Sequence, residues 1–172
     1  MEKVQLNNLT YDELENFFES ISEAKYRAQQ LYTFIHKNGG KDLKEITTFS
    51  KKLRDKLNDI AEINRISILK RFDSKIDNTK KYLFLLNDRN IIESVAMKYE
   101  HGYTICISTQ VGCRMGCKFC ASTKGGLIRN LYPSEMSNQI YSIEEDLNIK
   151  ISNIVLMGSG EPLDNYENVL KF

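Results

Sequence analysis

The first sixty residues repeat apolar positions with the period of a helix. Leu14, Phe17 and Phe18 follow the stretch Thr10-Tyr11-Asp12-Glu13, a capping box in which Thr10 accepts from a backbone N–H while Glu13 reaches back; a first helix is predicted to about Ser20. Ala28, Leu31, Phe34 and Ile35 predict a second helix over roughly Glu23 to Lys37, stopped at Gly39-Gly40. Ser50 is the expected N-cap of a third, with Leu53, Leu57 and Ile60 as its buried stripe.

After Ile63 the period shortens. "ISILKRF" and "YLFLLNDRNIIESVAMKY" are rich in β-branched and aromatic residues, and "NDRN" divides the longer piece as a hairpin turn would. "YTICIST" predicts a strand that feeds a loop. Pro133 and Ser134 open a helix to about Leu147 that turns Met136, Ile140 and Ile143 inward. "ISNIVLMG" has the pattern of a buried strand, and the turn "GSGEPLDN" precedes a helix near Tyr166.

The fold expected is therefore an α+β domain over residues 1–98, a small helical bundle with a short antiparallel sheet, followed over 99–172 by the start of an α/β barrel that stops after its second strand. The boundary is expected between residues 95 and 102.

Composition narrows the class. A chain of 172 residues, 41% apolar and 27% charged, suffices for a buried core. No apolar run reaches the length of a membrane span, and "MEKVQLNNLT" lacks the basic flank and apolar segment of a signal peptide, so a soluble cytoplasmic protein is expected. The net charge of +1 hides an uneven spread: Met1 to Glu23 holds six acidic residues and one lysine, whereas Lys25 to Lys56 holds nine basic residues and three acidic ones. From His101 to Ser134 there are four basic residues, Arg114, Lys118, Lys124 and Arg129, and no carboxylate. Such segments fit a polyanion, RNA or DNA, and Lys25 to Lys56 taken alone reads as a solvated helix face.

All four cysteines, Cys106, Cys113, Cys117 and Cys120, lie within fifteen residues. In a reducing compartment clustered thiols bind metal or do chemistry more often than they pair. Cys113, Cys117 and Cys120 form C-x-x-x-C-x-x-C, with Gly112 and Gly116 letting the backbone curl, and three thiolates so close in sequence can converge on one site. They would hold three irons of a [4Fe–4S] cluster and leave the fourth open. A zinc site completed by Cys106 or His101 is the alternative, although zinc prefers paired C-x-x-C units.

"CRMGCKFC" resembles the signature of the radical S-adenosylmethionine (SAM) enzymes, and "GSGEP" their SAM-binding turn. "AKYRAQQLYTFIHKNGGKDLKEITTFSKKLRDKL", "IIESVAMKY", "CISTQVGCRMGCKFCASTKGGLIRNL" and "NIVLMGSGEPLDNYENV" extend the resemblance along the chain to the radical SAM RNA adenine methyltransferases, nearest those that methylate C2 of an adenine in 23S rRNA and in certain tRNAs. The resemblance implies that Cys113, Cys117 and Cys120 ligate a [4Fe–4S] cluster, that Phe119 lies against the SAM adenine, and that Gly160 and Glu161 hold the SAM amino end. It makes Cys106 the cysteine that removes the C2 proton and helps release the adduct through a disulfide. Glu93 becomes a proton acceptor. Read alone, Cys106 is an inert strand cysteine and Glu161 a surface loop carboxylate, while Glu93 is either that acceptor or the outward residue of a strand. Arg114, Lys118, Lys124 and Arg129 would neutralise the cluster or contact phosphates.

The resemblance also implies an accessory RNA-binding role for the first domain, an electron-donor protein as partner, and a monomer when the protein is full length. The methyl-carrying cysteine would lie beyond Phe172, so this chain alone is expected to be inactive. The rival expectations are the sibling that methylates C8 of the same adenine and confers antibiotic resistance, with "GEPL" leaning toward C2, and a noncatalytic RNA-binding fragment with a structural metal site.

Overall fold

A computed structural model describes residues 3–172, which divide into two compact units, one up to Asn64 and the other from Arg65 to Leu170. The division falls well before the expected boundary at 95–102. Those residues lie in the hairpin between two strands paired from Val95–Cys106 to Tyr99–Gly102, so cutting there would split a continuous sheet.

In the first unit, strand β1 (Val4–Gln5) and a 3₁₀ turn lead into helix α1 (Tyr11–Ser20). The capping box forms as the sequence predicts: the Glu13 N–H donates to Thr10 Oγ1 at 3.3 Å and the Thr10 N–H to Glu13 Oε2 at 2.9 Å. Helix α2 (Tyr26–Tyr32) starts three residues later than expected, after Ser22 has turned the chain with φ +61°, and continues as a π-turn over Thr33–Lys37. Gly39, at φ +66°, ends it, and the Gly40 N–H closes back on the Phe34 carbonyl at 2.8 Å.

Helix α3 (Lys51–Ile60) begins at Ser50, whose hydroxyl accepts from the Leu53 N–H at 3.2 Å. Leu53 and Leu57 are buried, but Ile60 is not; Ala61, opening the short strand β2 (Ala61–Glu62) that pairs with β1, takes the inward position. Leu6, Leu14, Phe18, Ala28, Leu31, Ile35 and Leu57 make a contiguous core. Each large side chain there contributes about 1.5–3 kcal/mol of burial.

The second unit is a five-stranded sheet in the order β3 (Ser67–Asp73), β4 (Lys80–Leu85), β5 (Ile91–Tyr99), β6 (Gly102–Cys106), β9 (Ile151–Val155). The first four strands are antiparallel and β9 joins β6 in parallel. "NDRN" is the β4–β5 turn, with Arg89 at φ +67° and the Leu86 N–H bonded to the Asn90 carbonyl at 2.9 Å. Between β6 and β9 come a small hairpin, β7 (Gln110–Gly112) with β8 (Leu127–Asn130), and helix α4 (Pro133–Leu147). The βαβα order read from residue 104 is thus present, ending in α5 (Tyr166–Lys171).

One face of the sheet is covered. Ile92, Ala96, Ile105, Tyr82 and Phe84 meet Met136, Ile140 and Ile143 in a core, as the period of the helix predicts. Gln139 of α4, fully buried, locks the register: its Oε1 accepts from the Ser94 hydroxyl at 2.6 Å and the Ser108 N–H at 2.9 Å, and its amide donates to the Ser108 carbonyl at 3.0 Å. The strand "ISNIVLMG" is not buried as expected. It forms the edge of the sheet among the described residues, and Ile154 and Met157 are exposed.

Candidate active site

Cys106 ends β6 and Val95 stands opposite it in the ladder. Side chains alternate along a strand, so Cys106, Val95 and Glu93 share the face turned away from α4. Cys106 is half-buried, and burial pushes its thiol up, with the Met157 N–H pulling the other way. Glu93 is exposed and binds Lys81 of β4, Nζ to Oε1 at 2.9 Å. Lys81 was not singled out from sequence, although the β4–β5 turn fixes the diagonal pairing that joins them.

Past Cys106 the chain is clamped to the turn after β9. Gly158 N–H donates to the Ile107 carbonyl at 3.0 Å, and the Thr109 and Gln110 N–H groups both reach the Ser159 carbonyl. Gln110, fully buried, binds three partners: its Oε1 accepts from the Glu161 N–H at 2.9 Å, and its amide donates to Asn130 Oδ1 at 2.8 Å and Asp164 Oδ2 at 3.0 Å. Asn165, also buried, donates to the carbonyls of Thr109 and Leu131. Gly160 sits at φ +108°, and a Cβ there would lie 2.7–2.8 Å from Gln110 and Thr109 atoms. Only glycine permits this approach. Thr109 Oγ1, beside Gly160, is buried with no hydrogen-bond partner among the described residues.

The cysteine loop meets the same turn. Ser122 Oγ lies 3.2 Å from Ser159 Oγ, and Arg114 binds Asp164, whose carboxyl is held below the usual range by Arg114 and Gln110. Glu161 caps the 3₁₀ turn Pro162–Asn165, its Oε1 accepting from the Leu163 N–H at 3.1 Å. Phe119 is 95% exposed.

All four cysteines are free, but the three loop thiols are not brought together as expected. Cys113 is buried at the end of β7, where its N–H donates to the Gly126 carbonyl, whereas Cys117 lies exposed on a turn closed by the Cys120 N–H to Cys117 carbonyl bond. Among the described residues no group of three or more His, Cys, Asp or Glu side chains is gathered closely enough to hold a metal ion. The donor set itself fits an iron–sulfur cluster: three free thiols on one loop.

Two of the four basic residues expected to face the cluster or phosphates are committed elsewhere. Arg129 is forked onto Glu135, at 2.8 Å from each oxygen, and donates to Asp88 at 2.6 Å; Arg114 is taken by Asp164. Their carboxylates come from residues 88, 135 and 164, outside the carboxylate-free stretch.

Residues 4–63 match the family model described as "Ribosomal RNA large subunit methyltransferase N-terminal domain". The chain is 56% identical over 99% of its length to a protein of Finegoldia magna named "Probable dual-specificity RNA methyltransferase RlmN", and 55% identical over its whole length to the protein of that name in Alkaliphilus metalliredigens. It covers 49% of each, so it spans about half the length of the curated relatives it matches. The crystal structure of a radical SAM methyltransferase from Sphaerobacter thermophilus superposes with a TM-score of 0.87 at 33% identity, covering 98% of this chain and 50% of that one. Over almost its whole length, then, this chain is similar to about half of the proteins named dual-specificity RNA methyltransferase RlmN and to half of a solved radical SAM methyltransferase.

Proposed function

We propose that the chain is the N-terminal part of a radical SAM methyltransferase that transfers a methyl group to C2 of an adenine in 23S rRNA, and in tRNA. The observation that carries the reading is the meeting of the cysteine loop with the glycine-rich turn, Ser122 against Ser159 and Arg114 against Asp164, at the end of the strand that bears Cys106. Cys113, Cys117 and Cys120 would hold a [4Fe–4S] cluster, with Phe119, Gly160 and Glu161 toward SAM. When bound, the cluster supplies the electron that cleaves the sulfonium of SAM.

Cys106 would take the C2 proton. A thiol whose pKa is raised by burial gives a stronger base once ionised, and then keeps the proton it removes. Glu93, on the same face, would accept protons next, with Lys81 orienting its carboxylate. The first unit, with Lys44, Lys51, Lys52 and Lys56 on its exposed surface, would dock on RNA phosphates. An electron-donor protein, a cytoplasmic location and a monomeric full-length enzyme complete the reading. No helix among the described residues is long and apolar enough to cross a membrane.

The test is mass spectrometry of nuclease-digested 23S rRNA and tRNA from cells with and without the gene encoding this chain. 2-Methyladenosine that depends on the gene is expected. 8-Methyladenosine would assign the antibiotic-resistance sibling instead, and no gene-dependent methyladenosine would overturn the proposal.

A further inference from the structure

We propose that a hollow beside the π-turn of the first unit receives one unstacked RNA base that carries an exocyclic amino group. The inference rests on the RNA-binding reading of this unit and adds what the unit reads. The hollow has a volume of about 280 Å³ and is lined by Gln30, Thr33, Phe34, Asn38, Glu45 and Thr47, among others. A splayed base is recognised by an aromatic wall for its face and by donors and acceptors for its edge. Phe34 supplies the wall. Its ring is held from behind by Gly40, where a Cβ would come within 2.2 Å of it.

The edge groups are available. The Asn38 amide makes no hydrogen bond among the described residues, and Gln30 uses its Oε1 toward Arg27 at 2.9 Å while its amide nitrogen makes none. Glu45 is exposed and forms no ion pair among the described residues, so a carboxylate stands ready in the lining. That charge would repel a phosphate and accept from the amino group of adenine, cytosine or guanine, which uracil lacks.

The hollow owes its shape to the helix that borders it. The Asn38 N–H bonds five residues back to the Thr33 carbonyl at 3.1 Å, widening the last turn so that Thr33, Phe34 and Asn38 line one lip. Turns of this kind are rare and recur at functional sites. Basic residues flank the lining in sequence: Lys37 before Asn38 and Lys44 before Glu45. They would take the phosphates on either side of the base.

The experiment is fluorescence anisotropy of the full chain with three RNA hairpins, whose loops are adenine, uracil or abasic, and with a fully paired duplex of equal length. The adenine loop is expected to bind about tenfold more tightly than the abasic loop, the size of one stacked base, and more tightly than the uracil loop, which lacks the amino group. Asn38→Ala with Glu45→Ala should remove that preference and leave duplex binding unchanged. Equal binding of the three hairpins by the wild-type chain, or equal weakening of hairpin and duplex by the substitutions, would overturn the pocket while leaving the RNA reading in place. Absence of binding to any RNA would overturn both.

Discussion

Gln110 accepts the backbone N–H of Glu161 through its side-chain oxygen at 2.9 Å, fastening the glycine-rich turn to the strand that leads into the cysteine loop. The same amide donates to Asp164 and Asn130. Replacing it with alanine leaves these partners without a buried mate, at a cost of about 1–3 kcal/mol for each group left unsatisfied. Gln110→Ala should therefore lower the denaturant midpoint of unfolding by a corresponding amount. A midpoint equal to wild type would show that the clamp holds nothing.

Gly160→Ala should act on the same clamp from the other side. The new methyl would sit within 2.8 Å of the Gln110 backbone nitrogen, at a φ that alanine resists. Hydrogen exchange of the Thr109 and Gln110 amides, both bound to the Ser159 carbonyl, should then quicken while exchange in α4 holds. Unchanged protection at these two amides would contradict the close packing of the turn.

Asp88 gives the pH dependence a sign. The Arg129 guanidinium holds its carboxyl down to about 2 from an ordinary value of 3.8. A lowered folded pKa stabilises the fold above the unfolded value, and that stability is lost as pH falls from near 4 through about 2. Its side chain is 39% exposed, so solvent screening keeps the effect small. Acid titration should show a shallower loss of stability in this window for Asp88→Asn than for the wild-type chain. Parallel curves would mean that the ion pair does not couple to folding.

Thiol labelling should separate the cysteines. Cys117 is exposed and should be alkylated first in the metal-free chain, with buried Cys113 last. Because burial raises the Cys106 thiol above 9.0, its alkylation rate should still be climbing at pH 9. A plateau below pH 8, read by mass spectrometry of the labelled peptides, would show a thiolate that the surroundings do not predict.

Local chemistry made much of this structure legible. The capping box at Thr10, the Ser50 cap, the "NDRN" turn and the Pro133 start each involve neighbours a few residues apart, and each forms where the sequence places it. What escaped depends on distant pairing. The edge position of β9 exposes Ile154, and the sheet continuing through residue 99 moves the unit boundary to Asn64. Arg129 looked like a free cation because its partners Asp88 and Glu135 lie outside the carboxylate-free stretch. Gln110 and Asn165 gave no signal, since a buried amide has none until its partners are known. The C-x-x-x-C-x-x-C spacing declares a donor set, although no group of three or more His, Cys, Asp or Glu side chains placed to hold a metal is found among the described residues.

The central claim is a three-thiolate iron site that leaves one iron open to SAM. It is tested most directly by reconstituting this chain anaerobically with iron and sulfide, reducing it, and recording its electron paramagnetic resonance spectrum before and after adding SAM. The account predicts about four irons and four sulfides per chain, a cluster lost on Cys113→Ala, Cys117→Ala or Cys120→Ala but kept on Cys106→Ala, and a spectrum that changes when SAM arrives. A colourless protein that takes up one zinc instead, or a cluster whose spectrum ignores SAM, would contradict it.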